Sequence, residues 1–418
     1  MNRIRRTAAA LTLSALAGLS ACTAPGSYTK EFANSARARL DAFRAGIDLQ
    51  TAENQFMAGE LDKSQATVDN ALKIAPESTA ALLLRGRILL ERGDLEASRV
   101  VLSKAAQLEP DNIDAHYFLA VVSERMEQPE VAYAHYIRAA ELEPANPQHA
   151  VAAAETLMIQ QRYDEARSVL ASRLMTMTQS AAPRELLGQI ELLTGNYDQA
   201  VVHFSAARLL APRDQRILEQ LARALMLGAQ YDQAESVLHQ LLVQDRAGNR
   251  RDLLWLQAQC LMATGRLQEA RDVLSKLTTG QQGERDLGAW IMLGQASAHL
   301  RDMPRLRTAA ARLMTLAPAL PDGYLLRAVA ERMSGSPAAA LATLEQAPAT
   351  ISADPREPVL RALVLEQLGR TSDALAYLQQ TIDREPGHGQ ARRLLAAITA
   401  RSQSAPTASA ATPDITNQ

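Results

Sequence analysis

The chain has 418 residues, of which 47% are apolar but only 4% aromatic. Ala and Leu dominate the apolar share, the residues that lose least on entering a helix, and the lack of long Val, Ile and Thr runs argues against a large sheet. A formal charge of −2 from 44 basic and 46 acidic residues lacks the basic footprint that phosphate-backbone binding needs, which argues against a nucleic-acid partner.

At the start of the chain, Arg3, Arg5 and Arg6 precede a run of apolar and small residues from Thr7 to Ala21. The run is too short to remain as a membrane span and has the pattern of a secretory signal. It closes with Leu19-Ser20-Ala21-Cys22, which resembles the lipobox of bacterial lipoproteins. That resemblance implies a signal peptide over 1–21, cleavage before Cys22, and acylation of Cys22 as the link to a membrane. The mature chain would then hold 41 basic residues against 46 acidic ones. Thr23 follows the cysteine, where the inner-membrane retention signal of that family usually has Asp. The expected address is therefore the periplasmic side of the outer membrane. With Cys22 acylated, Cys260 has no partner for a disulfide. Cys260 lies in a helical pattern from Leu254 to Leu261 and reads as a small buried hydrophobe.

Phe32, Ala36, Leu40, Phe43 and Ile47 recur at helical spacing, which predicts a lead-in helix within an N-terminal segment of 22–44. From 45 to 388 the chain repeats itself. Gly93-Asp94-Leu95-Glu96-Ala97-Ser98 is followed by Ala105 and Leu108-Glu109-Pro110. Stepping back by 34 residues gives Gly59-Glu60-Leu61, Ser64, Ala71 and Pro76; stepping forward gives Gln128-Pro129-Glu130, Ala132, Ala139 and Pro144. The register continues through Arg162 with Ala166, Gly195 with Ala200, Gln230 with Ala234, Gly265 with Ala270, Leu306 with Pro318, Gly335 with Ala340, and Gly369 with Ala374 and Pro386. Two of these steps are 36 residues long, and ten units result.

Each position has a physical meaning. A Gly or a polar residue ends the first helix, where the chain must turn sharply. The small residue five positions later lets the two helix axes approach closely. The closing Pro cannot continue a helix. In-register recurrence of this kind resembles the tetratricopeptide repeat, with the nearest copies at Leu187-Gly188 with Ala200, Phe204, Ala207 and Pro212, and at Leu82, Gly86 and Leu89 with Ser98, Leu102, Ala105 and Pro110. The resemblance implies an all-α fold, a right-handed superhelical solenoid of about ten helical hairpins. Departures stand at Arg173 in the fourth unit, Leu241 in the sixth and Leu306 in the eighth, where a kink or a widened groove is expected.

After the array, 389–402 reads as a capping helix with Ala391, Leu394, Leu395 and Ile398 on one face. The tail 403–418, rich in Ser, Ala, Thr and Pro, has too little apolar mass to pack and is expected to be disordered.

The chemistry of an enzyme is not visible. No two of the seven histidines are spaced as paired ligands on one helix, and His-Glu-x-x-His, a phosphate-binding Gly-rich loop and a Gly-x-Ser-x-Gly elbow are all missing. No catalytic residue, metal or cofactor is expected, although a site built across distant repeats is the third functional alternative.

The solenoid resemblance implies a concave face lined by the first helix of each unit. Its inward positions fall on Arg87, Glu155, Gln189, Arg223, Gln259 and Gln295, with Val121, Val329 and Leu363, and at a second level on Tyr117, Glu185, Glu219, Trp255 and Leu325. Tyr117 and Trp255 suit either a partner anchor or packing between repeats. The leading expectation is a lipid-anchored periplasmic scaffold that binds envelope proteins in this groove, serving a pilus, a secretion apparatus or an exopolysaccharide exporter. The alternative is a module that guides a carbohydrate polymer, which aromatic platforms along the groove would favour.

Overall fold

A computed structural model describes residues 27–404, apart from 246, 247 and 249. Cys22, the signal segment and the tail beyond 404 lie outside the described residues. Among those described there are α-helices, one short 3-10 helix and no strand. The all-α fold, with helices paired as hairpins along the chain, is the one the repeat implies. The chain divides into two compact units at Asn196 and Tyr197.

The first unit holds α1 (Ser27–Met57), α2 (Leu61–Ile74), α3 (Thr79–Arg92), α4 (Leu95–Leu108), α5 (Ile113–Arg125), α6 (Pro129–Leu142), α7 (Pro147–Ile159), α8 (Tyr163–Ala171) and α9 (Ala182–Leu193). The second holds α10 (Tyr197–Leu210), α11 (Gln215–Leu227), α12 (Tyr231–Gln244), α13 (Arg251–Ala263), α14 (Leu267–Leu277), the short α15 (Gly280–Gly283), α16 (Leu287–His299), α17 (Met303–Leu316), α18 (Pro321–Met333), α19 (Pro337–Gln346), α20 (Glu357–Gln367), α21 (Thr371–Arg384) and α22 (Gly389–Ser404). α15 accounts for one of the two longer repeat steps. The lead-in helix and the first helix of the first hairpin are one continuous element, α1, with no break near residue 44.

Two local devices set the hairpins. The turn between the paired helices places one residue in the left-handed region, and these residues recur in the repeat register: Gly59, Gly93, Glu127, Gln161, Gly195, Ala229, Gly265, Arg301, Gly335 and Gly369. Six are glycines, which adopt that conformation without steric cost. The other four carry a Cβ and are strained there. The return to the next hairpin uses a cap two residues after the closing proline. Ser78, Asn112, Asn146 and Asp214 follow Pro76, Pro110, Pro144 and Pro212 at that distance, and each accepts a hydrogen bond from a backbone N–H of the next helix. Such caps satisfy donors that the first helical turn leaves open.

The core runs between helices within each unit. In the first unit Ala52, Val68, Ala81, Leu84 and Ile88 join α1, α2 and α3, while Ala120, Ala132, Tyr136, Leu157, Leu170 and Ile190 knit α5 through α9. In the second, Leu274, Trp290, Leu293, Leu306, Leu313 and Leu326 form one cluster. The small residues of the repeat are buried in facing pairs twelve apart, such as Ala120 with Ala132 and Ala258 with Ala270. α22 buries Ala391 and Ile398 against Leu365, Ala374 and Leu378, covering the end of the second unit.

The three irregular units resolve differently. In the fourth, α8 stops at Ala171 and the chain turns through Arg173 to Thr176, burying Met177 beside Ala140 and Ala150. The sixth and eighth each keep an unbroken second helix. α12 and α17 run for 14 residues each, with Leu241 and Leu306 buried. Gly294, on the helix before Leu306, offers space that Leu326 and Ala309 occupy.

Candidate partner-binding face

The residues expected on the inner face fall on α3, α5, α7 and α9 in the first unit. Arg87 on α3 is half-buried, and its guanidinium lies over two aromatic rings, 4.8 Å from the centre of Phe56 and 5.1 Å from that of Phe118. That geometry holds the cation in place by cation–π attraction. Tyr117 on α5 is half-buried too. Its ring lies 5.9 Å from Tyr136, 5.6 Å from His149 and 5.3 Å from Phe118. Of its two roles, packing between repeats is the one the geometry displays.

Glu155 on α7 keeps an exposed side chain. Desolvation of its carboxyl, with the carboxylates of Glu124 and Glu185, holds it above the ordinary carboxylate range. Glu124, on α5, accepts from the Tyr136 hydroxyl at 2.8 Å and from Thr156 at 3.0 Å. Burial first, and then this carboxylate, push the Tyr136 hydroxyl well above the usual phenol range. Glu185 and Gln189 on α9 are half-buried, as is Val121 on α5. The first unit thus presents carboxylates from three successive first helices, bordered by an aromatic patch. Sequence reasoning missed Glu124, which lies one helical turn beyond the expected level at Val121. Its tie to Thr156 on the next hairpin is a tertiary fact.

In the second unit, Arg223 on α11 is exposed and lines a groove of 480 Å³ together with Glu219, Met226, Leu227, Leu253 and Leu256. Arg250 closes one side of it, 2.8 Å from the Glu219 carboxylate. Trp255, Gln259 and Gln295 lie outside this lining and are half-buried. Trp255 packs on the cluster around Trp290, and a Cβ at Gly288 of α16 would lie 3.6 Å from its indole nitrogen. Of the remaining positions, Val329 and Leu363 are half-buried, whereas Leu325 is buried among Ala328, Ala340 and Leu360 and belongs to the core. Burial pushes the Cys260 thiol up to about 11, so its reactive thiolate is scarce near neutral pH.

Among the described residues, no group of three or more His, Cys, Asp or Glu side chains is placed to hold a metal ion. No described helix is long and apolar enough to cross a membrane.

Comparison with known proteins agrees with this architecture. A sequence profile described as "TPR repeat" matches residues 86–126, and profiles described as "Tetratricopeptide repeat" match 191–254 and 359–411. Tetratricopeptide repeat protein 21B of Xenopus laevis is 24% identical over 248 residues, which is 57% of this chain but only 19% of the relative. Type IV pilus assembly protein PilF of Pseudomonas aeruginosa is 28% identical over 180 residues, 43% of this chain and 71% of the relative. The solved structure of Pseudomonas aeruginosa pilF shares 24% identity with a TM-score of 0.38, covering 49% of this chain and 91% of that one. A tetratricopeptide repeat protein from Parabacteroides merdae shares 17% with a TM-score of 0.41, covering 60% and 98%. The matched segments of this chain carry tetratricopeptide repeats.

Proposed function

We propose that this chain is a lipid-anchored periplasmic scaffold whose repeat face gathers protein partners of an envelope machine, with pilus assembly as the first system to examine. The observation that carries the protein-binding part is the row of Glu124, Glu155 and Glu185 on successive first helices. Glu155 is held in a state that a cation would relieve, so the fitting partner segment carries Lys or Arg. The membrane part is supported by Leu19-Ser20-Ala21-Cys22. The pilus reading is supported by the relative named as a type IV pilus assembly protein.

The carbohydrate-polymer alternative draws no support from the aromatic residues it needed. Tyr117 and Trp255 are each half-buried against neighbouring repeats rather than spread as open platforms.

The anchoring part is tested by metabolic labelling with radioactive palmitate in cells bearing the wild-type chain or Cys22→Ser. The expected result is label in the wild-type protein alone, found with the outer membrane. A soluble, unlabelled wild-type protein would contradict it.

A further inference from the structure

α1 carries two apolar faces, and only one of them is covered. At about 100° per residue, Ala45, Leu49, Ala52 and Phe56 share one side of the helix. Ala45 and Ala52 are buried there, while Leu49 and Phe56 pack on Val68, Ala81, Leu84 and Ile88. Phe32, Ala36, Leu40, Phe43 and Ile47 form a stripe on the opposite side, about half a turn away. Phe32 is 73% exposed, Leu40 48%, Phe43 67% and Ile47 50%. The hairpins pack on the helix only from Ala45 onward, every residue from 31 to 44 is exposed, and among the described residues nothing covers the stripe.

The charges beside the stripe select its occupant. Arg39 flanks one edge, and Arg37 and Arg44 flank the other. Asp41, Asp48 and Glu31 lie further round the helix. None of the three arginines forms an ion pair among the described residues. The stripe has the spacing of a short coiled-coil seam, with Arg37, Arg39 and Arg44 at the flanking positions that meet across a helix pair. A second copy, parallel or antiparallel, would therefore set arginine against arginine. A surface of anionic lipid headgroups meets both needs, because the arginines reach phosphates while the stripe enters the acyl boundary.

We propose that the outward face of α1 docks in the plane of an anionic lipid surface through Phe32, Leu40, Phe43 and Ile47, with Arg37, Arg39 and Arg44 on headgroup phosphates. The inference rests on the membrane attachment proposed above. Cys22 stands five residues before α1, so an acylated Cys22 would hold the start of the helix within about 18 Å of the surface.

The experiment uses the full chain with Cys22→Ser, so that no acyl group contributes, and a nitrobenzoxadiazole probe on Phe43→Cys or, as control, on Asp41→Cys. Vesicles of phosphatidylglycerol with phosphatidylethanolamine are compared with vesicles of phosphatidylcholine alone. The expected result is a blue-shifted, brighter probe at 43 but not at 41, on the anionic vesicles. Arg39→Gln and Arg44→Gln should each weaken this partition by about fivefold. An equal response at 41 and 43, or none at 43, overturns the proposal. So does a probe at 43 already blue-shifted without lipid in a protein of dimer mass, which would give the face to a second copy. Palmitate labelling of the unsubstituted chain reads Cys22 separately, so the anchor and the helix fail or stand apart.

Discussion

The Ser98 hydroxyl donates to the Gly86 carbonyl oxygen at 2.7 Å, across the two helices of one hairpin. Ser64 does the same to Ala52 at 2.7 Å in the hairpin before it. The bond is possible because both partners are small enough for the helix axes to close to contact. A Cβ placed on Gly86 would lie 2.5 Å from Leu102 Cγ, which is inside the core and cannot swing away. Gly86→Ala should therefore cost about 1–3 kcal/mol, read as a lower denaturation midpoint at unchanged slope. An unaltered midpoint would show that this contact is looser than described.

The four strained turns give a second prediction, of opposite sign. Ala229 holds φ 55 where most other hairpins have glycine. Ala229→Gly should raise stability by about 0.5–1 kcal/mol, because the relief of the left-handed conformation outweighs the added freedom of the unfolded chain. Gly93→Ala, at φ 81, should lower stability. Equal effects of both substitutions on the denaturation midpoint would refute the assignment of these turns.

Most of the architecture is legible because a 34-residue period repeats its own evidence. Glycines, small residues and prolines each mark a place where a backbone or a contact admits few side chains. The period places turns beside Glu127, Gln161, Ala229 and Arg301, but nothing in those residue types announces the left-handed backbone that the surrounding hairpin enforces. At Leu241 and Leu306, where a kink or a widened groove is expected, both leucines are buried within unbroken helices. Whether a leucine fits a tight crossing depends on the space its neighbours leave, which is a property of the packed pair. Of the positions expected on the face, Glu155 and Arg223 are exposed and Arg87 is half-buried. Helical register alone does not announce that Tyr117 and Trp255 turn to neighbouring rings and a glycine, nor that Leu325 enters the core.

His135 supplies a pH prediction. Its Nδ1 lies 3.1 Å from the Nδ1 of His116, so one ring donates while the other accepts. Burial, and then His116, hold His135 below the ordinary histidine range. The unfolded chain takes up the proton near pH 6.5, whereas the folded chain resists it to lower pH. Stability should thus fall as pH drops below about 6.5. His135→Gln should flatten that part of the curve in denaturant titrations between pH 7.5 and 5. A slope unchanged by the substitution would place its origin elsewhere.

Glu155 links stability to binding. Its raised carboxyl means that the folded chain prefers the protonated form, so ionised Glu155 destabilises at neutral pH, and the penalty disappears as pH falls below the unfolded value near 4.3. Glu155→Gln should raise the denaturation midpoint at pH 7 but not at pH 4. The same substitution should weaken capture of a basic partner segment, and Glu155→Lys with Glu185→Lys should weaken it at least about tenfold. Capture unaffected by the charge reversal would remove the carboxylate row from the binding face.

The most direct test is site-specific photo-crosslinking in the native envelope, from Gln189 in the first unit and Arg223 in the second, with mass spectrometry of the adducts. A defined protein adduct from Gln189 is expected, lost when Glu155 and Glu185 are reversed to lysine. The absence of any protein adduct from either position, in a chain shown to be acylated and folded, would contradict the reading of this array as a protein-binding scaffold.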